Sequence, residues 1–289
     1  MNDSGEAETR GRELKPAEQQ QAEERASVPV SVVHEAVRQQ GEEELSRTAQ
    51  ALAWSGLAAG LSMSMSLVTE GLLYTYLPDA PWRRLIVKMG YSVGYLLVVA
   101  GRQQLFTENT LTPIIPLLAR RDLATFKSVM KLWLVVLLAN LAGAHMVAWV
   151  LSNTPAFDRN VQHAFDTLAR EAVAVGFGAA IIRGIFSGWL IASMVWILAA
   201  VEDGKVAVIL ILTYMVGLGS FTHIVAGSVD ALFLVWNGTL QWTAYALGYA
   251  LPTLLGNVIG GVSLVSALNH AQVVAGTPRP EGKSSLISL

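Results

Sequence analysis

Six long apolar segments run through this 289-residue chain, over 53–75, 85–118, 129–151, 172–201, 206–236 and 239–268, and two of them are broken. A helix needs about 20 apolar residues to cross a bilayer. The first, third, fourth and sixth segments meet that length without interruption. The second is cut by RQQLFTENTLTP (102–113) and the fifth by GLGSFTH (217–223). Unpaired backbone groups are costly in hydrocarbon, so irregular chain at that depth must be buried in protein or line a cavity. Matching interruptions in two halves of a membrane protein point to a transport site.

Composition agrees with this reading. Charged residues make up 15% of the chain, against about 25% for a soluble domain. They concentrate in residues 1–48, which are rich in Glu, Gln and Arg. The sequence therefore predicts an all-α polytopic membrane protein in three parts. These are a polar N-terminal extension (1–48), a transmembrane domain (49–272) and a C-terminal tail (273–289). No apolar run near the start reads as a signal peptide. A net charge of −2 gives no footprint for nucleic acid, and the lack of cysteine excludes disulfide and thiolate chemistry.

The two halves echo each other. LLANLAGA (137–144) returns as LLGNVIGG (254–261), which sets Asn140 and Asn257 117 residues apart. Phe106-Thr107 returns as Phe221-Thr222, 115 residues on. Three crossings per half is an odd number, so the second half must run inverted relative to the first. Counting Lys and Arg with the N-terminus inside gives thirteen inner charges and five outer ones. The positive-inside rule then places both termini in the cytoplasm.

Three stretches carry a family resemblance: GSFTHIVAGS (219–228) in the fifth segment, LFTENT (105–110) in the second and PTLLGNVIGG (252–261) in the sixth. Together they resemble the formate/nitrite transporter family over about residues 50–272. The resemblance implies an aquaporin-like six-helix protomer with broken second and fifth helices, assembled as a homopentamer in a bacterial inner membrane. It implies one pore per protomer, passing small monovalent anions or their weak acids, and no cofactor. The family's central pore histidine falls on His223, its second-helix threonine on Thr107 and its sixth-helix asparagine on Asn257. The apolar constriction positions fall on Tyr91, Tyr95 and Val216, with Phe106 in the broken loop. Gly227 departs from the family members whose substrate is assigned, which usually carry asparagine there.

Each of these residues also has a plainer reading. His223 could be a satisfied core group, although ionisable residues inside a membrane are functional by default. Thr107 could cap the half-helix that follows it. Asn140 and Asn257 could join helices. Arg102 with Glu108, and Arg183 with Asp230, could form buried ion pairs. The stretch VHEAVRQQGEEELSRTAQAL (33–52) is amphipathic enough to lie on the membrane face or to plug a pore from inside. No catalytic signature is present, and the histidines lack metal-ligand spacing, so an enzyme has nothing to act with. The leading expectation is a passive or proton-coupled channel for small anions. The alternatives are a channel for neutral solutes or water, and a non-conducting membrane scaffold or sensor.

Overall fold

The computed structural model describes residues 28–276, and all regular structure among them is helical. The first helix, α1 (Val30–Ser46), precedes the bundle. The first crossing is α2 (Ala49–Tyr76), begun by Thr48, whose side chain accepts from Ala51 N. Helix α2 is interrupted only at Ser64, whose hydroxyl donates back to Gly60 O at 2.9 Å. The second crossing is in pieces: α3 (Arg83–Met89), α4 (Tyr91–Ala100) and, after an irregular stretch that holds one short 3-10 turn at Glu108–Thr110, α5 (Ile114–Arg120). The third is α6 (Leu123–Asn153), capped by Asp122, which accepts from Thr125 N at 2.8 Å.

An unexpected helix, α7 (Arg159–Val173), then lies between the halves. Its apolar stripe of Val161, Phe165 and Leu168 is buried against α2 and against the later helix Ala226–Trp236, and its other face is polar. These residues fall between the apolar segments 129–151 and 172–201, and their polar face keeps them from resembling a span. The second half follows with α8 (Phe177–Ala200), the half-helices α9 (Lys205–Leu218) and α10 (Ala226–Trp236), and α11 (Ala244–Ala275). Helix α11 contains two π-helical turns, Ala244–Ala250 and Gly260–Ala267. Helices α2, α6, α8 and α11 are each long and apolar enough to cross a membrane. Bulky apolar side chains such as Trp54, Leu134, Ile182 and Leu247 are exposed on the outside of the bundle. That is the surface expected of a protein whose solvent is lipid.

The halves are built alike. Helix α2 packs on α6 as α8 packs on α11. Close approach depends on glycine in both pairs: a Cβ on Gly60 would stand 2.1 Å from Asn140 O, and one on Gly188 would stand 2.2 Å from Asn257 O. The half-helices α4 and α9 also terminate alike. Arg102 and Ser220, 118 residues apart, both take the left-handed conformation at φ 50°. The next amides, Gln103 N and Phe221 N, donate to Val98 O at 3.0 Å and Val216 O at 3.1 Å. The repeat register at the breaks is therefore 118. The Phe-Thr echo at 115 was a coincidence, about one helical turn out of register, and Phe106 corresponds to Ile224.

Candidate functional site

Each break is held by one asparagine. Asn140 Oδ1 accepts from Phe106 N at 2.9 Å, and its Nδ2 donates to Gly56 O and Gln104 O at 2.8 and 2.9 Å. Asn257 repeats the pattern: Oδ1 accepts from Ile224 N at 2.9 Å, and Nδ2 donates to Gly184 O and Thr222 O at 2.9 and 3.0 Å. Both side chains are fully buried. A helix break leaves backbone donors and acceptors orphaned, and no water is available to satisfy them in a bilayer. The primary amide offers both a donor and an acceptor, which is what such a break requires.

The breaks bring His223 and Thr107 together. His223 Nε2 lies 2.8 Å from Thr107 Oγ1. On its other side, Nδ1 faces the amides of Val225 and Ala226 at 3.3 and 3.2 Å, where α10 begins. Those amides can only donate, so Nδ1 is the acceptor and the proton of the neutral ring sits on Nε2. The Nε2–H then donates to Thr107 Oγ1. His223 thus caps α10 with one nitrogen and points a donor at the meeting of the breaks with the other.

Aromatic hydroxyls continue from this pair. The rings of Tyr95 and His223 meet edge-to-face with centroids 5.3 Å apart. The Tyr95 and Tyr91 hydroxyls lie 3.3 Å apart. Beyond them, on the side of the bundle away from α1, is a cavity of about 40 Å³, bordered by Tyr91, Val216 and His223 and also by Glu70, Lys88, Asp230 and Tyr249. One water needs roughly 10–15 Å³ of such space, so the cavity suits a few waters or one small ion. Lys88 Nζ is 3.0 Å from Glu70 Oε1, and both side chains are deeply buried. The contact is an ion pair without good hydrogen-bond direction, since Glu70 Oε1 has no hydrogen-bond donor aimed at it. Nearer the surface, Arg84 Nη1 pairs with Glu171 Oε1 at 2.8 Å.

A family model described as formate/nitrite transporter matches residues 31–271. The chain belongs to the formate/nitrite transporter family. The inner membrane protein YfdC of Escherichia coli (strain K12) is 40% identical to it over 251 residues, covering 87% of this chain and 81% of that one. The formate channel FocA of Haemophilus influenzae is 25% identical over 243 residues, covering 75% and 84%. Among solved structures, a pentameric formate channel with formate bound superposes with a TM-score of 0.66 at 20% identity, covering 78% of this chain and 98% of that one. An FNT family ion channel gives a TM-score of 0.64 at 16% identity, covering 86% and 97%. The fold is the one that the motifs implied.

Against that family background, His223, Thr107, Tyr91, Tyr95 and Val216 are grouped around the breaks and the cavity. Asn257 and Phe106 are set differently. The Asn257 amide is committed to three backbone bonds, so it presents its polar atoms to the break. Phe106 packs edge-to-face on Trp133, at 5.6 Å between centroids. The expected ion pairs of Arg102 with Glu108 and of Arg183 with Asp230 do not form among the described residues. Arg102 terminates α4 with its side chain exposed, and the buried cation near Asp230 is Lys88.

Sequence reasoning missed Glu70, Lys88 and Tyr249. A carboxylate inside the first span was the available signal for Glu70. Nothing marked Tyr249, which is aimed by a π-helical turn. It explains Gly227, because a Cβ there would lie 1.7 Å from the Tyr249 hydroxyl.

At the other end of the bundle, α1 is docked over the first break. Glu44 accepts from Gln40 Nε2 at 3.1 Å and from the Thr112 hydroxyl. Gly41 allows the approach, since its Cβ would be 2.0 Å from Thr112 O. His34 Nε2 meets His270 Nδ1 at 3.0 Å, beside Trp196.

Proposed function

We propose that this protein is a channel for small monovalent anions, or their weak acids, of the size of formate, nitrite or hydrosulfide. The observation that carries the reading is the His223–Thr107 pair, which stands where two half-helices are interrupted. An anion is not stable unpaired in an apolar constriction. The N-terminal end of α10 supplies partial positive charge, about half an elementary charge for a full helix. Nε2–H of His223 supplies a hydrogen bond, and the Thr107 oxygen accepts that N–H when no permeant is present. Because Nδ1 accepts from the start of α10, the ring acts as a fixed donor that polarises the permeant. A doubly protonated ring would have to turn an N–H toward two amides.

The path runs from Lys88 past Tyr91, Val216 and Tyr95 to His223 and Thr107, then between the breaks toward α1. Phe106 backs the first break and Asn257 holds the second. The family and the solved pentameric formate channel support a homopentamer with one path per protomer, its first and last crossings in contact with neighbouring subunits and its outer surface in lipid. The relative YfdC and the charge asymmetry support an inner membrane location with both termini cytoplasmic, which makes the Lys88 cavity the outer mouth. In this division residues 49–272 form the channel, and α1, from the polar extension, covers its inner mouth. A neutral-solute channel or a silent scaffold has no such observation in its favour. The test is flux in proteoliposomes, across small weak acids and neutral solutes at two pH values. Formate flux that changes with pH supports the reading, and equal flux of charged and neutral solutes would refute it.

A further inference from the structure

His223 offers a hydrogen bond but no spare proton, so a weak acid that crosses in neutral form must be protonated elsewhere. The outer cavity holds three carboxylates near two cations. Lys88 is paired with Glu70 at 3.0 Å, and Arg84 with Glu171 at 2.8 Å. Asp230 is left over. It lines the same cavity as Tyr91 and His223, and no ion pair to it is formed among the described residues. With every group ionised, the mouth carries a net charge of −1, which opposes the entry of an anion.

The groups that face Asp230 come from several elements. They are Glu70 from α2, Lys88 from α3 with Arg84 behind it, Tyr91 from α4, Glu171 from α7, Tyr249 from α11, and His223 ahead of its own helix. Two further titratable groups on the helices packed against α10 are occupied. Tyr245 of α11 donates to Ser228 Oγ at 3.1 Å, and His145 of α6 stacks on Trp242 with ring centroids 5.7 Å apart. Lys88 can therefore draw in an anion, and of the three carboxyls that line this cavity Asp230 is the one without an ion pair among the described residues.

We propose that Asp230 is the proton-exchanging residue of the outer mouth and sets which charge state proceeds. This rests on the channel reading above. In the step, the O–H bond of protonated Asp230 breaks as an O–H bond forms on the permeant anion, leaving the Asp230 carboxylate and a neutral acid. The acid passes Tyr91 and Tyr95 to His223, and outer water returns a proton to Asp230. No oxidant or further reactant is needed.

The experiment is formate uptake by full-length protein in liposomes, across weakly acidic to weakly alkaline outer pH. For the wild type, the protonated fraction of a single site, and with it the flux, falls by up to about tenfold per pH unit on the alkaline side. Asp230→Asn lowers flux at acid pH and removes that slope, and Asp230→Glu restores it. If the Asn variant fails to assemble, Asp230→Ser decides by the same slope. A conducting wild type whose Asn or Ser variant keeps the full slope overturns the role of Asp230 and leaves the channel reading standing. A wild type that passes no formate at any pH overturns both.

Discussion

The Tyr249 hydroxyl occupies the space in which a side chain at residue 227 would begin, so Gly227 and Tyr249 are one feature of the cavity wall. A Cβ on Gly227 would stand 1.7 Å from that oxygen and 2.7 Å from the ring carbon that bears it. Gly227→Asn, which installs the residue usual in family members whose substrate is assigned, must push the phenol aside. The expected cost is about 1–3 kcal/mol of stability, the range for overpacking a dense interior. Combining it with Tyr249→Phe should recover part of that loss and no more, because the ring carbon still crowds the site. Thermal melting of the single and double variants measures the coupling.

Asn140 and Asn257 should prove equivalent. Either change to Ala orphans buried backbone groups at a helix break and removes three bonds at about 1 kcal/mol each. The expected result is a thermal transition lowered by a similar amount in both variants, with flux lost as the breaks relax. A large loss for one and none for the other would mean that the breaks are not held in the same way.

The spans and both interruptions could be read because hydrocarbon enforces apolar runs and penalises breaks wherever they occur. Asn140 and Asn257 could be read because the same backbone problem recurs in both halves and one side-chain type solves it. The 118-residue register could not, since the left-handed residues that end α4 and α9 are Arg102 and Ser220, with no chemistry in common. Helix α7 was hidden because a half-polar stripe resembles neither a span nor a loop. Tyr249 was hidden because a π-helical turn shifts which residues face inward, and a period of 3.6 cannot show that. The Lys88–Glu70 pair joins residues 18 apart on different elements, which only the packing reveals.

Tyr91 and Tyr95 put hydroxyls where an apolar ring is expected, 3.3 Å from each other. Changing both to Phe should leave folding and assembly intact, since the ring volumes are kept. It should also slow polar permeants on the order of tenfold, the effect of about 1.4 kcal/mol in the barrier. Unaltered flux for every solute would make these tyrosines packing residues only.

Helix α1 should loosen from the bundle as the pH falls. Burial, then the neighbouring His270 and Arg38, hold the His34 pKa below its usual 6.5, while Glu35 opposes them. At His34, docked α1 therefore binds fewer protons than free α1. Docking is at full strength above about pH 6.5 and weakens as the pH drops below that value. Glu44 acts in the opposite sense, because burial raises its pKa and the docked form takes up a proton more readily. His34→Gln removes only the first effect. Below pH 6.5, hydrogen exchange over 30–46 should be faster in the wild type than in the variant; equal exchange would exclude His34 as the sensor.

Thr107 should matter through its hydroxyl alone. The oxygen accepts from His223 Nε2–H at 2.8 Å, and the residue is fully buried. Thr107→Val keeps the shape and removes the partner of that N–H, the only one among the described residues. The ring stays in place because Nδ1 still caps α10 through the amides of Val225 and Ala226. Assembly should thus survive, with a loss of about 1–3 kcal/mol from the unpaired donor. Permeation should respond more sharply, because a donor without its acceptor binds the permeant more tightly and releases it slowly. The expected signature is weak-acid flux that saturates at lower concentration with a reduced maximum, while Thr107→Ser stays close to wild type. Concentration series in liposomes decide this. A Val variant with wild-type flux and saturation would place Thr107 outside the path.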